Sequence, residues 1–99
     1  MLRLWAVSVW ALFLLLAGTV PGVILLDVEM PGLSGVDALP TIRAMAPTTA
    51  VIMVSGTVNV ELAKRALAAG AFDYVTKPVD LPRLLESIET AFAMLALDV

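Results

Sequence analysis

An aspartate, a serine and a lysine close three separate strand-like runs. Val23-Ile24-Leu25-Leu26 leads into Asp27, Ala50-Val51-Ile52-Met53-Val54 into Ser55, and Phe72-Asp73-Tyr74-Val75-Thr76 into Lys77. A carboxylate, a hydroxyl and an ammonium in one place could accept a phosphoryl group, hydrogen-bond its oxygens and neutralise its charge. The stretches between the runs have helical periodicity, so the chain reads β-α-β-α-β-α, the pattern of a parallel sheet with crossover helices. Ligands of such sheets bind at the carboxyl ends of the strands, where these three side chains would meet. Taken singly, each is more often a cap or a solvated side chain. Their recurrence at successive strand ends makes them a candidate site.

The positioning elements are legible in outline. Pro21-Gly22 punctuates the approach to the first run, and Met30-Pro31-Gly32-Leu33-Ser34-Gly35 is a loop dense in breakers. A helix is expected over about Gly35–Met45, with Val36, Leu39 and Ile42 on one face, Met45 extending it and Pro40 inside it. After the loop Gly56-Thr57-Val58, Asn59 is the expected N-cap of a second helix and Gly70 its C′ residue, with Val60, Ala63, Ala66 and Leu67 as the apolar face. The last helix starts after Asp80, carries Pro82 in its first turn and aligns Leu81, Leu84, Leu85, Ile88, Phe92 and Leu95 in a stripe.

Composition narrows the chemistry. At 99 residues there is room for one domain with a modest core. The chain has no Cys and no His, so disulfides, thiolate metal sites and an imidazole base are excluded. Six basic residues are spread thinly over a net charge of −3, which argues against nucleic acid as a partner. The apolar fraction is 61%, against ~45–50% for ordinary soluble domains. Much of the excess lies in Leu4 to Val20, where only Ser8 and Thr19 are polar. Residues 1–20 are expected to form an apolar helix, read as a membrane anchor through residues 4–20, as a signal-like segment or as a buried helix covering the sheet.

The local sequences add a family. Leu25-Leu26-Asp27-Val28-Glu29-Met30-Pro31-Gly32-Leu33-Ser34-Gly35 resembles the phosphoacceptor segment of response-regulator receiver domains in two-component phosphorelays. Met53-Val54-Ser55-Gly56 is similar to the family's strand ending in Ser or Thr, and Gly70-Ala71-Phe72-Asp73-Tyr74-Val75-Thr76-Lys77-Pro78 to its G-A-x-D-Y-x-x-K-P segment. The resemblance implies a partial flavodoxin-like α/β receiver fold over residues 22–97, with three parallel strands and crossover helices, preceded by the apolar helix. It implies that Asp27 takes phosphate from a histidine kinase or phosphotransfer protein, that Ser55 hydrogen-bonds the phosphoryl oxygens and that Lys77 pairs with the carboxylate and then the phosphoryl group. Tyr74 matches the aromatic that moves between exposed and buried positions, with plain strand packing as the equal alternative. Asp27 and the backbone carbonyl of Glu29 would be Mg²⁺ ligands, and the bond from Lys77 to Pro78 would be cis.

The departures are as informative. A receiver begins with a strand bearing two acidic residues, yet no Asp or Glu precedes Asp27. The expectation is therefore an N-terminally truncated receiver with weak Mg²⁺ binding and impaired phosphoryl transfer, in which Val23 to Val28 lies at an open edge of the sheet. The alternative is a non-phosphorylated interaction module, membrane-tethered if the apolar run is an anchor, which binds a partner protein through Tyr74 and the helices at 59–69 and 81–95. Either module would be cytoplasmic, or held at the inner face of the membrane, and not an enzyme. An aspartyl-phosphate phosphatase is disfavoured because Glu29 stands where that family has a second Asp.

Overall fold

The computed structural model describes residues 4–7, 22–30, 33–56 and 59–97. Its centre is a parallel sheet of β1 (Leu4–Val7), β2 (Val23–Asp27), β5 (Ala50–Ser55) and β6 (Asp73–Thr76), in the order β1-β2-β5-β6. Between β2 and β5 lie β3 (Glu29–Met30) and β4 (Leu33–Ser34), a short antiparallel pair inside the breaker-rich loop, followed by α1 (Gly35–Met45). Two more helices, α2 (Val60–Ala68) and α3 (Leu81–Leu97), precede and follow β6.

The three expected strands are present as parallel neighbours, and the start of the apolar run adds a fourth. Leu4–Val7 pairs with β2 in register from Leu4 opposite Val23 to Val7 opposite Leu26. This corrects two expectations: those four residues are strand rather than helix, and β2 is an interior strand rather than an edge. The physical reason is that the outer backbone groups of β2 need partners, and a short apolar segment running alongside supplies them. The remainder of the expected N-terminal helix, with its anchor, signal-like and buried-helix readings, lies outside the described residues, as do Pro31-Gly32 and Thr57-Val58. Among the described residues no helix is long and apolar enough to cross a membrane.

Alternation along β2 and β5 sends side chains to two cores. Ile24, Leu26, Val51 and Met53 face Val36, Leu39 and Ile42 of α1 and Ala66 of α2. Val23 and Ile52, with Leu25 and Ala50 beside them, face Ile88 and Ala91 of α3. Runs that are apolar at every position are what a sheet covered on both faces requires. Each fully buried aliphatic side chain contributes about 1.5–3 kcal/mol.

The helices follow their predicted signals, with two corrections. Helix α1 buries Val36, Leu39 and Ile42 and continues through Pro40. Asn59 caps α2 by accepting from Leu62 N at 3.0 Å, and Gly70 follows that helix at φ 104°. The expected face of α2 is rotated, however: Val60 and Leu67 are exposed, and Leu62, Ala66 and Ala69 meet the core instead. Spacing by four and three residues satisfies the helical period on either face, and the small Ala66 and Ala69 let the helix approach the sheet closely. In α3, Asp80 accepts from Arg83 N at 3.3 Å, while Leu81 and Leu85 are exposed and Leu84, Ile88, Ala91, Phe92 and Leu95 carry the packing.

Candidate functional site

Register brings the strand ends together. Asp27 stands opposite Val54 and Ser55 opposite Thr76, so the last residues of β2 and β5 and the residue after β6 share one edge. Backbone bonds continue the ladder beyond the strands, from Val28 N to Val54 O at 2.9 Å and from Lys77 N to Ser55 O at 2.6 Å. The Lys77–Pro78 peptide bond is cis, as the resemblance implied.

Asp27 and Lys77, fifty residues apart in sequence, form an ion pair, with Nζ 2.8 Å from Oδ2. The other carboxylate oxygen, Oδ1, accepts from the backbone N–H of Glu29 at 2.9 Å. Burial tends to raise the Asp27 carboxyl, but the Lys77 hydrogen bond and the Glu29 N–H together hold it below the ordinary aspartate value of 3.8. The same hydrogen bond raises the Lys77 ammonium above its ordinary 10.5. At neutral pH the pair is therefore an ionised carboxylate beside a cation, which suits a nucleophile whose product gains negative charge.

Ser55 is fully buried at the end of β5, and its Oγ donates to Glu29 Oε1 at 2.8 Å. The Gly56 N–H donates to the same carboxylate, at 2.9 Å from Oε1 and 3.1 Å from Oε2. Asp27, Ser55 and Lys77 thus lie on one edge, with Glu29 bridging from the β2 side to the end of β5. Tyr74 is half-buried against the α1 and α2 side of the core, and its buried hydroxyl has no hydrogen-bond partner among the described residues.

Three contributors escape a reading of sequence. One is the Glu29 side chain, whose reach across to β5 is visible only in space. The Gly56 N–H is another, since a backbone donor leaves no mark on the residue type. Gly35 is the third, since a Cβ there would stand 2.5 Å from the Asp27 carbonyl oxygen and 2.9 Å from Val28 Cα. Its N–H donates to Val28 O at 2.9 Å, so α1 starts in direct backbone contact with the residue that follows Asp27. Spacing signals a glycine there, but not what it touches.

The donors available to a metal are few. Asp27 supplies one carboxylate and Glu29 a backbone carbonyl, while the Glu29 carboxylate is turned to Ser55 and Gly56. Among the described residues no cluster of three or more Asp, Glu, His or Cys could hold a metal ion, and the sequence has no acid before Asp27. Receiver domains generally bind Mg²⁺, a hard cation that needs several oxygen ligands. Among the described residues, the donors at this edge are fewer than such a cation needs.

The chain is similar to known proteins in sequence and in fold. The family model of the response regulator receiver domain matches residues 6–89. The Escherichia coli regulatory protein AtoC is 40% identical over 74 residues, which are 75% of this chain and 16% of that protein. The chain thus spans about a sixth of the length of that curated relative. A CheY-like receiver domain from Methanospirillum hungatei superposes with a TM-score of 0.80 at 22% identity, covering 100% of both chains, which speaks to fold alone. A Burkholderia pseudomallei response regulator, solved with a phosphorylated aspartic acid, a calcium ion and citrate, superposes at 0.72 with 22% identity over 90% of this chain and 52% of that one. With the family match covering most of its length and the strand ends arranged as described, the chain belongs to the response regulator receiver domain family.

Proposed function

We propose that this chain is the phosphoacceptor receiver module of a two-component phosphorelay, with Asp27 as the acceptor. The observation that carries the reading is the 2.8 Å ion pair between Asp27 and Lys77 at the shared strand edge, beside Ser55. A carboxylate oxygen of Asp27 attacks the phosphorus of a phosphohistidine on a kinase or phosphotransfer protein. The P–N bond breaks, its electron pair returns to the imidazole, and an acyl phosphate forms on Asp27. Lys77 neutralises the transferred charge. Ser55 and the Gly56 N–H are the groups within reach of the phosphoryl oxygens once Glu29 yields them. The module acts as an acceptor rather than as an enzyme, and a cytoplasmic setting follows from such a partner.

A second reading, a non-phosphorylated interaction module, is favoured by one observation: the Glu29 carboxylate already occupies Ser55 and Gly56. In that case Val60 and Leu67 on α2 and Leu81 and Leu85 on α3, all exposed, would supply partner contacts. Intact mass after incubation with acetyl phosphate and Mg²⁺ separates the two. The acceptor reading expects one phosphoryl adduct in the wild type and none in Asp27→Asn. No adduct in a folded wild-type sample leaves the interaction module.

A further inference from the structure

Three hydrogen-bond donors surround the end of β2: the Ser55 hydroxyl, the Gly56 N–H and the Lys77 ammonium. Asp27 takes the ammonium, and the other two are taken by Glu29. The Glu29 carboxylate receives Ser55 Oγ at 2.8 Å and Gly56 N at 2.9 Å, so two oxygens of a planar anion sit against one hydroxyl and one backbone N–H. A Cβ built on Gly56 would stand 3.7 Å from Glu29 Oε1 and 4.0 Å from Lys77 Cδ, ordinary contact distances that place carboxylate, amide and lysine stem within one small volume.

We infer that Glu29 is an internal occupant of the oxyanion seat formed by Ser55 Oγ and the Gly56 N–H, and that an incoming phosphoryl or phosphate oxygen must displace it. Ser55 Oγ and the Gly56 N–H both donate to the Glu29 carboxylate, and a charge-assisted pair of bonds of this kind stabilises the arrangement. The same contact also competes with any external oxyanion, both by holding the donors and by placing negative charge beside them. Glu29 is exposed and has three side-chain torsions, so it can leave the seat without moving the strand that carries it. It is a positioning residue: it sets when Ser55 and Gly56 become available. Its consequence for signalling rests on the acceptor reading above. The occupancy itself does not.

The test is a titration of the full chain with inorganic phosphate in the presence of EDTA, followed by the Gly56 amide in ¹H–¹⁵N spectra. Glu29→Ala should bind phosphate about tenfold more tightly than the wild type, a change equivalent to about 1.4 kcal/mol. Glu29→Asp keeps the charge but is one methylene shorter and releases the β5 donors, so its phosphate affinity should fall between those of the wild type and Glu29→Ala. The gain should vanish when Ser55→Ala is added, because the seat is then incomplete. An Glu29→Asp variant indistinguishable from wild type would overturn the inference, since charge alone would then explain the effect. So would a Gly56 amide resonance that does not respond to either Glu29 substitution. Intact mass with acetyl phosphate on the same samples keeps the two ideas apart. Tighter phosphate binding with no adduct in any variant sinks the acceptor reading and keeps the occupancy; an Asp27 adduct with phosphate affinity unchanged by Glu29 does the reverse.

Discussion

Asp27 and Asp73 are both paired with a cation at 2.8 Å, yet they sit at opposite edges of the sheet and in unlike surroundings. Asp27 ends β2, where one oxygen faces Lys77 and the other a single backbone N–H. Asp73 begins β6, where Arg83 grips both oxygens, at 2.8 and 3.0 Å, and Ser87 Oγ and Tyr74 N donate at 2.7 and 2.8 Å. Fourfold acceptance with a bidentate guanidinium ties the start of β6 to α3 and leaves little capacity for chemistry. The ammonium beside Asp27 is a point charge that, under the proposed acceptor role, would shift from carboxylate to phosphoryl oxygen. Saturation of the acceptor, more than the presence of a cation, separates a structural carboxylate from an available one.

The sharpest way to break this comparison is to exchange the consequences. Asp27→Asn should abolish phosphoryl uptake while leaving the urea midpoint close to that of the wild type, because its partners are exposed. Asp73→Asn should keep the adduct and lower stability by about 1–3 kcal/mol, since the buried Ser87 hydroxyl and Arg83 lose their charged acceptor. If both variants lost uptake and stability together, the two sites would be one cooperative unit and the distinction would fail.

Gly35→Ala should come next. Its Cβ would press on the backbone of Asp27 and Val28, and overpacking of this kind costs about 1–3 kcal/mol. Thermal unfolding should show the loss, and the Asp27 amide resonance should shift, whereas the Asp73 amide should stay in place. Serine at position 87 provides a smaller effect: Ser87→Ala removes one of the four bonds to Asp73 and should cost about 0.5–1.5 kcal/mol by urea denaturation.

Acid provides the gentlest test. Burial tends to raise the Asp73 carboxyl, but bonds from Arg83, Ser87 and Tyr74 N outweigh it and hold the group below 3.8. A folded-state value below the unfolded one contributes stability that is present above the unfolded value and is lost as pH falls through the folded one. The stability gap between wild type and Asp73→Asn should therefore be full at pH 6 and shrink below about pH 4. A gap that widened in acid would mean that Asp73 is not held ionised by these partners.

Much of this molecule was readable in one dimension. The three strand-end residues, the Asn59 and Asp80 caps, the C′ role of Gly70 and the parallel order of β2, β5 and β6 all follow from local rules: period, capping chemistry and the need to bury continuous apolar runs. These rules act over a few residues, so a single sequence carries them. The apolar run at the start defeated the same rules, because Leu4–Val7 is equally apolar as helix or strand and only the unpaired side of β2 decides between them. The α2 face is undetermined in sequence for a similar reason, since Leu62 with Ala66 and Val60 with Leu67 both fit the helical period. The Asp73 clamp stayed hidden because Arg83 and Ser87 lie ten and fourteen residues downstream on a different element. Glu29 is the clearest case. Its type and position were plain, but its carboxylate meets donors twenty-six and twenty-seven residues away, and hydrogen bonds are directional at about 3 Å. Sequence determined which groups stand at the strand ends; the packing of β2 against β5 decided which of them touch.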